Sequence, residues 1–235
     1  MEQILTDGAK ALGLSLNSQA ISDFEIYFKY LQETNEVMNL TAISEPDEVA
    51  KKHFLDSLCL TLAGDFKNAT AIDIGSGAGF PGMPLKIAEP SLKLTLLDSR
   101  GKRVAFLENL CDKLGVSGVS CVAARAEETA LLTDYRDSFD YALSRAVARL
   151  NVLCELCMPF VKVNGVFLSM KSSQSEEEIR EAVPAIEKLG GRLEPSVDYL
   201  IPGSELQHRI VVIKKIAPTP EGYPRRFGRI EKKPL

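Results

Sequence analysis

Glycines at 75, 77, 79 and 82 crowd the stretch AIDIGSGAGFPGMPL (71–85), directly after a short apolar run that ends in an acid and an isoleucine. Glycines this closely spaced let a backbone lie against a ligand, because no Cβ intervenes. Two phosphate-bearing ligand classes are held by glycine-rich turns after a first strand, and spacing tests both. A dinucleotide fingerprint needs glycine at its first, third and sixth positions. Counted from Gly75, the sixth position is Phe80. A phosphate-binding P-loop needs a lysine and a hydroxyl residue directly after its last glycine. From Gly77 the spacing reaches Gly82, but Met83 and Pro84 follow. Neither phosphate reading survives.

What stands is Asp73-Ile-Gly75-Ser-Gly77-Ala-Gly79. This resembles the first motif of the class I S-adenosylmethionine-dependent methyltransferases. The methionine part of that ligand has no phosphate, so no lysine is needed. The Asp73 carboxylate suits a cationic amino group nearby. Asp98 ends the next apolar run, followed by Ser99, and its carboxylate suits both ribose hydroxyls. Dinucleotide folds share an acid at this distance, so Asp98 does not discriminate by itself.

The elements that must position these residues change character near residue 67. Before it, SDFEIYFKYLQETNEVMNL places Phe24, Tyr27, Phe28 and Leu31 at helical spacing, with Ser22 or Asp23 as the expected N-cap. EPDEVAKKHFLDSLCLTLAG starts with proline and acids and ends at Gly64, the pattern of a second helix. After it, six apolar strands are expected: TAIDIG, LKLTLLD, GVSCVAA, FDYALS, GVFLSMK and HRIVVIKK. Helical stretches such as RGKRVAFLENLCDKLG and SEEEIREAVPAIEKLG separate most of them. That alternation predicts βαβ units and a mostly parallel sheet covered on both faces. The expected division is a helical extension over 1–66, an α/β domain over 67–217, and a basic tail over 218–235 packing on or beside it. Alone, the tail reads as loop or extended chain.

The chain has 235 residues, a net charge of −4 and a pI near 5.4, which argues against a surface coated in positive charge. The distribution matters more than the sum. From Arg209 onward Arg209, Lys214, Lys215, Arg225, Arg226, Arg229, Lys232 and Lys233 face only Glu221 and Glu231. No apolar run approaches the roughly 20 residues of a membrane span, and no secretory signal is evident at the N-terminus. The five cysteines are scattered through apolar context and read as reduced, buried thiols of a cytoplasmic protein, with no metal site.

A methyl acceptor should meet the sheet near FDYALSRAVARL, because open sheets bind ligands beyond the carboxyl ends of their strands. No Asn/Asp-Pro-Pro-aromatic tetrad stands there, so amino groups of bases are disfavoured as acceptors. No Pro-Cys nucleophile is present for carbon-5 pyrimidine chemistry. A ring nitrogen with a free lone pair, such as guanine N7, needs only alignment and desolvation. Arg145 follows the strand, placed to contact guanine O6 and N7 or to anchor the cofactor.

Taken together, NLTAI (39–43), HFLDSL (53–58), DIGSGAGFPGMPL (73–85), LLDSRGKRVAFL (96–107), ARAEE (124–128), SRAVA (144–148), HRIVVIKK (208–215) and YPRRFGRIEKKPL (223–235) resemble one family. It is the RsmG (GidB) family of bacterial 16S ribosomal RNA guanine-N7 methyltransferases, and the resemblance spans nearly the whole chain. It implies a seven-stranded methyltransferase sheet and S-adenosylmethionine as cofactor. The implied product is 7-methylguanosine in the 530 loop of 16S ribosomal RNA. The implied partner is the small ribosomal subunit or an assembly intermediate, met by a monomer with no membrane association. Gly75 and Phe80 are implied to contact the cofactor, Ala126 and Glu127 to flank the adenine, Asp98 to hold the ribose, and Arg145 to act at cofactor and target. Asn39 and His53 belong to motifs expected to face the cleft. Arg100, Lys102, Arg103, Lys171, Arg209, Arg225 and Arg226 are expected to meet RNA phosphates, which gives affinity rather than sequence choice. His208 is read as structural. Two rival readings share the cofactor site: a methyltransferase for a small molecule or protein, and a noncatalytic cofactor-binding regulator.

Overall fold

The computed structural model describes residues 1–235. Its helices are α1 (Glu2–Ala11), α2 (Ser18–Met38), α3 (Pro46–Val49), α4 (Asp56–Leu58), α5 (Gly82–Ala88), α6 (Gly101–Leu114), α7 (Ala126–Thr129), α8 (Leu150–Cys157), α9 (Glu176–Lys188) and α10 (Phe227–Lys232). A π-helical stretch, Ala50–Leu55, joins α3 to α4, so His53 and Asp56 stand at or beside a local widening of the helix. Such widenings cluster at functional sites because they re-aim side chains. The strands are β1 (Thr70–Ile74), β2 (Lys93–Asp98), β3 (Val119–Ala123), β4 (Phe139–Arg145), β5 (Val161–Ser172), β6 (Gly191–Leu193), β7 (Val197–Leu200) and β8 (Gln207–Lys215).

The sheet runs β3-β2-β1-β4-β5-β8-β6, with β7 also on β8. β1 to β5 are mutually parallel and β8 is antiparallel to β5. β6 and β7 lie along the same edge of β8, Leu193 opposite Ile213 and Val197 opposite Ile210. Eight strands therefore fill seven positions. The two unexpected strands have three and four residues, too few for alternation to be seen in sequence. In β1, Ala71, Ile72, Asp73 and Ile74 are all buried, as a strand covered on both faces requires.

One core lies between the sheet and α1 to α6, the other between the sheet and α7 to α10. The N-terminal helices belong to the first. Tyr30 of α2 stacks on Phe106 of α6 with ring centres 4.9 Å apart. The N-cap of α2 is Asn17, whose side chain accepts the Ala20 N–H at 2.8 Å, five or six residues before the expected caps Ser22 and Asp23. The tail is not simply extended. It folds into α10, which buries Ile230 against α8 in the second core. Arg136 secures it by donating to the carbonyls of Tyr223 at 2.9 Å and Thr219 at 2.8 Å. No helix is long and apolar enough to cross a membrane.

Candidate active site

β1 delivers the chain into the glycine loop, and the loop's shape follows from its hydrogen bonds. Gly75 N–H and Ser76 N–H both donate to the Leu97 carbonyl, at 2.8 and 3.1 Å. Gly77 N–H donates to Asp98 Oδ2 at 3.0 Å. Gly79 has φ +98, and a Cβ there would stand 2.6 Å from the Tyr27 hydroxyl. That hydroxyl, fully buried, donates to the Ala78 carbonyl, so α2 clamps the loop from beneath. At Gly77, φ +60, a Cβ would meet nothing closer than 3.8 Å and would fill open space above the loop. This is a backbone cradle of the kind a phosphate-free ligand segment can lie against.

Gly75, Asp98, Ser99, Ala126 and Glu127 line one cleft of about 220 Å³, together with Leu97, Arg125, Val147, Leu156 and Phe227 among others. Apolar walls from Leu97, Ala126 and Leu156 suit an aromatic base. Asp98 also accepts from Arg100 N–H at 2.9 Å and faces Arg103 at 3.4 Å, so its charge is compensated while its carboxylate still borders the cleft. The remaining loop residues lie elsewhere. Asp73 is fully buried under the loop, where Oδ2 accepts the Gly82 N–H at 2.9 Å and Oδ1 has no partner. Burial pushes its carboxyl up to about 7. Asp73 thus shapes the turn into α5 from below rather than lining the cleft. Phe80 is stacked between Tyr27 and His53, with ring centres 5.4 and 4.7 Å away.

A second cleft of about 470 Å³ opens at the carboxyl end of β4, lined by Lys52, His53, Asp56, Arg145, Ala146, Met170, Lys171 and His208 among others. Ala146 borders this cleft and its neighbour Val147 borders the first, so the two adjoin at one peptide. Arg145 is fixed there. Its Nη1 donates to the Lys52 carbonyl at 3.1 Å and to Asp56 Oδ2 at 3.0 Å, and its guanidinium lies 4.9 Å above the Phe80 ring. Burial alone would raise the Asp56 carboxyl, but the hydrogen bond from His208 and the charge of Arg145 outweigh it and hold it below the ordinary range.

His53 Nε2 lies 2.7 Å from the Thr41 hydroxyl, whose oxygen accepts the Ile43 N–H. The Lys52 carbonyl, 3.1 Å from Nδ1, can only accept, so Nδ1 carries the ring proton and the Thr41 hydroxyl donates to Nε2. Burial, and then Arg145, push the imidazole down to about 4. Its folded value lies below the ordinary 6.5, so neutral His53 stabilises the fold above that pH, and the contribution is lost as pH falls toward 4. The loss is worth about 3 kcal/mol at most. Urea unfolding of wild type and His53→Gln should show the stability difference shrinking between neutral pH and about pH 4.5.

The expected RNA-contacting residues divide. Arg100, Lys102 and Arg226 are exposed, as is Asn39, which ends α2 in a left-handed conformation. Lys171 donates to the Ala148 carbonyl at 2.8 Å and to Glu178 at 2.7 Å, holding the segment after β4. Arg209 is paired with Asp198 and Glu176. Arg225 is paired with the fully buried Glu155, so its charge is compensated inside the protein. Asp56, Tyr199, Thr41 and Phe227 were not anticipated at a site. Asp56 had one signal, an acid inside an otherwise apolar helical stretch.

The sequence profile described as "GidB: rRNA small subunit methyltransferase G" matches residues 20–198. A ribosomal RNA small subunit methyltransferase G of Lachnoclostridium phytofermentans is 46% identical over 229 residues, covering 97% of this chain and 95% of that one. The protein so named in Alkaliphilus metalliredigens is 47% identical over 235 residues, covering 100% and 98%. Among solved structures, a SAM-dependent methyltransferase from Aquifex aeolicus superposes with a TM-score of 0.55 at 15% identity, over 74% of this chain and 96% of that one. M. jannaschii TYW2 in complex with AdoMet superposes with a TM-score of 0.52 at 14% identity, over 68% and 75%. At those identities the structures speak for the fold, a class I methyltransferase sheet.

Proposed function

This chain belongs to the GidB family of ribosomal RNA small subunit methyltransferases G, and on that premise we propose that it methylates N7 of a guanosine in the 530 loop of 16S ribosomal RNA, with S-adenosylmethionine as donor. The observation that carries this reading is the meeting of two clefts at Ala146–Val147, one bordered by the glycine loop and Asp98, the other by Arg145. When bound, S-adenosylmethionine supplies an electrophilic methyl group on its sulfonium sulfur. The residues present fit it: Gly75 and Gly77 leave the backbone bare, Asp98 suits the ribose hydroxyls, and Leu97, Ala126 and Leu156 suit the adenine.

Guanine N7 carries its lone pair at neutral pH, so no residue need remove a proton. The work left to the protein is alignment and exclusion of water. Arg145 Nη1 is already committed to Lys52 and Asp56; Nη2 lies 3.4 Å from His53 Nδ1, whose own proton points to the Lys52 carbonyl, so Nη2 is left to donate to guanine O6. N7 itself must stay free to attack, so Arg145 contacts O6 alone. A loop nucleotide costs less to unstack than one in a duplex. The exposed cations Arg100, Lys102 and Arg226 are assigned to phosphates, so binding should weaken steeply with salt.

Transfer of labelled methyl to small subunits lacking the mark, followed by digestion to nucleosides, tests the reading. Labelled 7-methylguanosine is expected, and label in any other nucleoside would refute it. The donor site has its own test. Asp98→Asn keeps the side chain's shape but removes the charge and one acceptor. It should weaken S-adenosylmethionine binding by about 10- to 100-fold in calorimetry, equivalent to about 1–3 kcal/mol. An unchanged dissociation constant would remove Asp98 from the site.

A further inference from the structure

We infer that His208, oriented by Asp56, reads the Watson–Crick edge of the acceptor guanine beside Arg145, an inference that rests on the guanine reading above. Asp56 is 2% exposed and its two oxygens meet three donors. Oδ1 accepts from the Tyr199 hydroxyl at 2.7 Å and from His208 Nδ1 at 2.9 Å, and Oδ2 accepts from Arg145 Nη1 at 3.0 Å. One buried carboxylate thus fixes two head groups that border the same cleft. The ionised carboxylate can only accept, so Nδ1 carries a proton toward it, and it is the neutral form of the ring that presents a lone pair at Nε2. Nε2 has no hydrogen-bonding partner in the protein, and the side chain is 33% exposed. The Tyr199 ring, edge-on at 6.1 Å, helps set the imidazole plane.

The cleft therefore offers a permanent donor, Arg145, and an acceptor, His208. Guanine carries the complementary pair, the O6 acceptor beside the N1–H donor. Adenine carries the reverse, an amino donor beside a bare N1, and would leave both protein groups facing like partners. The arrangement also favours the reaction. Methylation puts positive charge on the purine, which makes N1–H a stronger donor, so the bond to Nε2 tightens as the methyl group transfers. Lys52 and Lys171 border the cleft but only donate, and His53 Nε2 is taken by Thr41, so His208 is the imidazole left to accept.

His208→Ala and His208→Gln, assayed on small subunits lacking the mark, test this. The alanine variant should lower kcat by about 10- to 100-fold, with the dissociation constant for S-adenosylmethionine within about twofold of wild type. Glutamine keeps a side-chain carbonyl that can accept, so it should recover most of the rate. An alanine variant at the wild-type rate would overturn the inference. So would a glutamine variant as impaired as alanine with an equally lowered unfolding midpoint, because His208 would then only support the fold. If wild type makes no 7-methylguanosine, the guanine reading falls and takes this inference with it; 7-methylguanosine from wild type with an unimpaired alanine variant overturns the inference alone.

Discussion

Arg145→Ala should lower the rate of methyl transfer by about 10²–10³-fold, the usual consequence of removing one preorganised donor from a reacting site. Arg145 is 15% exposed, sits at the junction of the two clefts, and is held by the Asp56 carboxylate and the Lys52 carbonyl. Its removal also leaves the buried Asp56 charge with one donor fewer, so some stability should be lost with the activity. Arg145→Lys separates the two effects. It retains a positive charge near Asp56 but not the planar fork, so the fold should hold while the rate stays low. Steady-state transfer kinetics beside urea unfolding of both variants checks this. A lysine variant with the wild-type rate would mean that charge, not the fork's geometry, is what Arg145 contributes.

Arg225→Ala should destabilise the protein by about 3 kcal/mol or more, because it strands a buried carboxylate. Glu155 on α8 is fully buried, and it accepts from Arg225 backbone N–H at 2.8 Å, Nε at 2.8 Å and Nη2 at 2.6 Å. Two residues later Phe227 lines the cleft beside Leu156. Loosening the tail should therefore weaken S-adenosylmethionine binding as well, although Arg225 does not border that cleft. Arg226→Ala is the control. Its side chain is exposed and carries no ion pair, so stability should change little while RNA binding loses part of its salt dependence. Thermal unfolding and filter binding across a salt series compare the two. Equal effects of both substitutions on RNA affinity, without loss of stability, would return Arg225 to the phosphate-contacting set.

The glycine loop and the alternating strands were legible because they depend on local pattern. Three glycines with positive φ at 75, 77 and 79, and strands apolar on both faces, leave direct traces in sequence. The short β6 and β7 left none. The Asp56 cluster could not be read for a different reason. It joins residues 56, 145, 199 and 208, brought together only because β4 and β7 end, and β8 begins, at one edge of the sheet. His208 reads as an ordinary strand residue until Asp56 is seen behind it. Charge misled where it was judged by sequence neighbours. The tail looks predominantly basic, yet Arg225 is neutralised by a glutamate 70 positions away. Phe227 carried no periodic signal in that segment.

The most direct test is the mass of the 530-loop fragment of 16S ribosomal RNA. It should be measured in cells lacking this protein and again after the wild-type chain or its Arg145→Ala variant is restored. The fragment should be one methyl group lighter in the deficient cells, the methyl returning on a guanosine as 7-methylguanosine with the wild-type chain and failing to return with the variant. A fragment of unchanged mass in the deficient cells, or a methyl returning on another base, would contradict this.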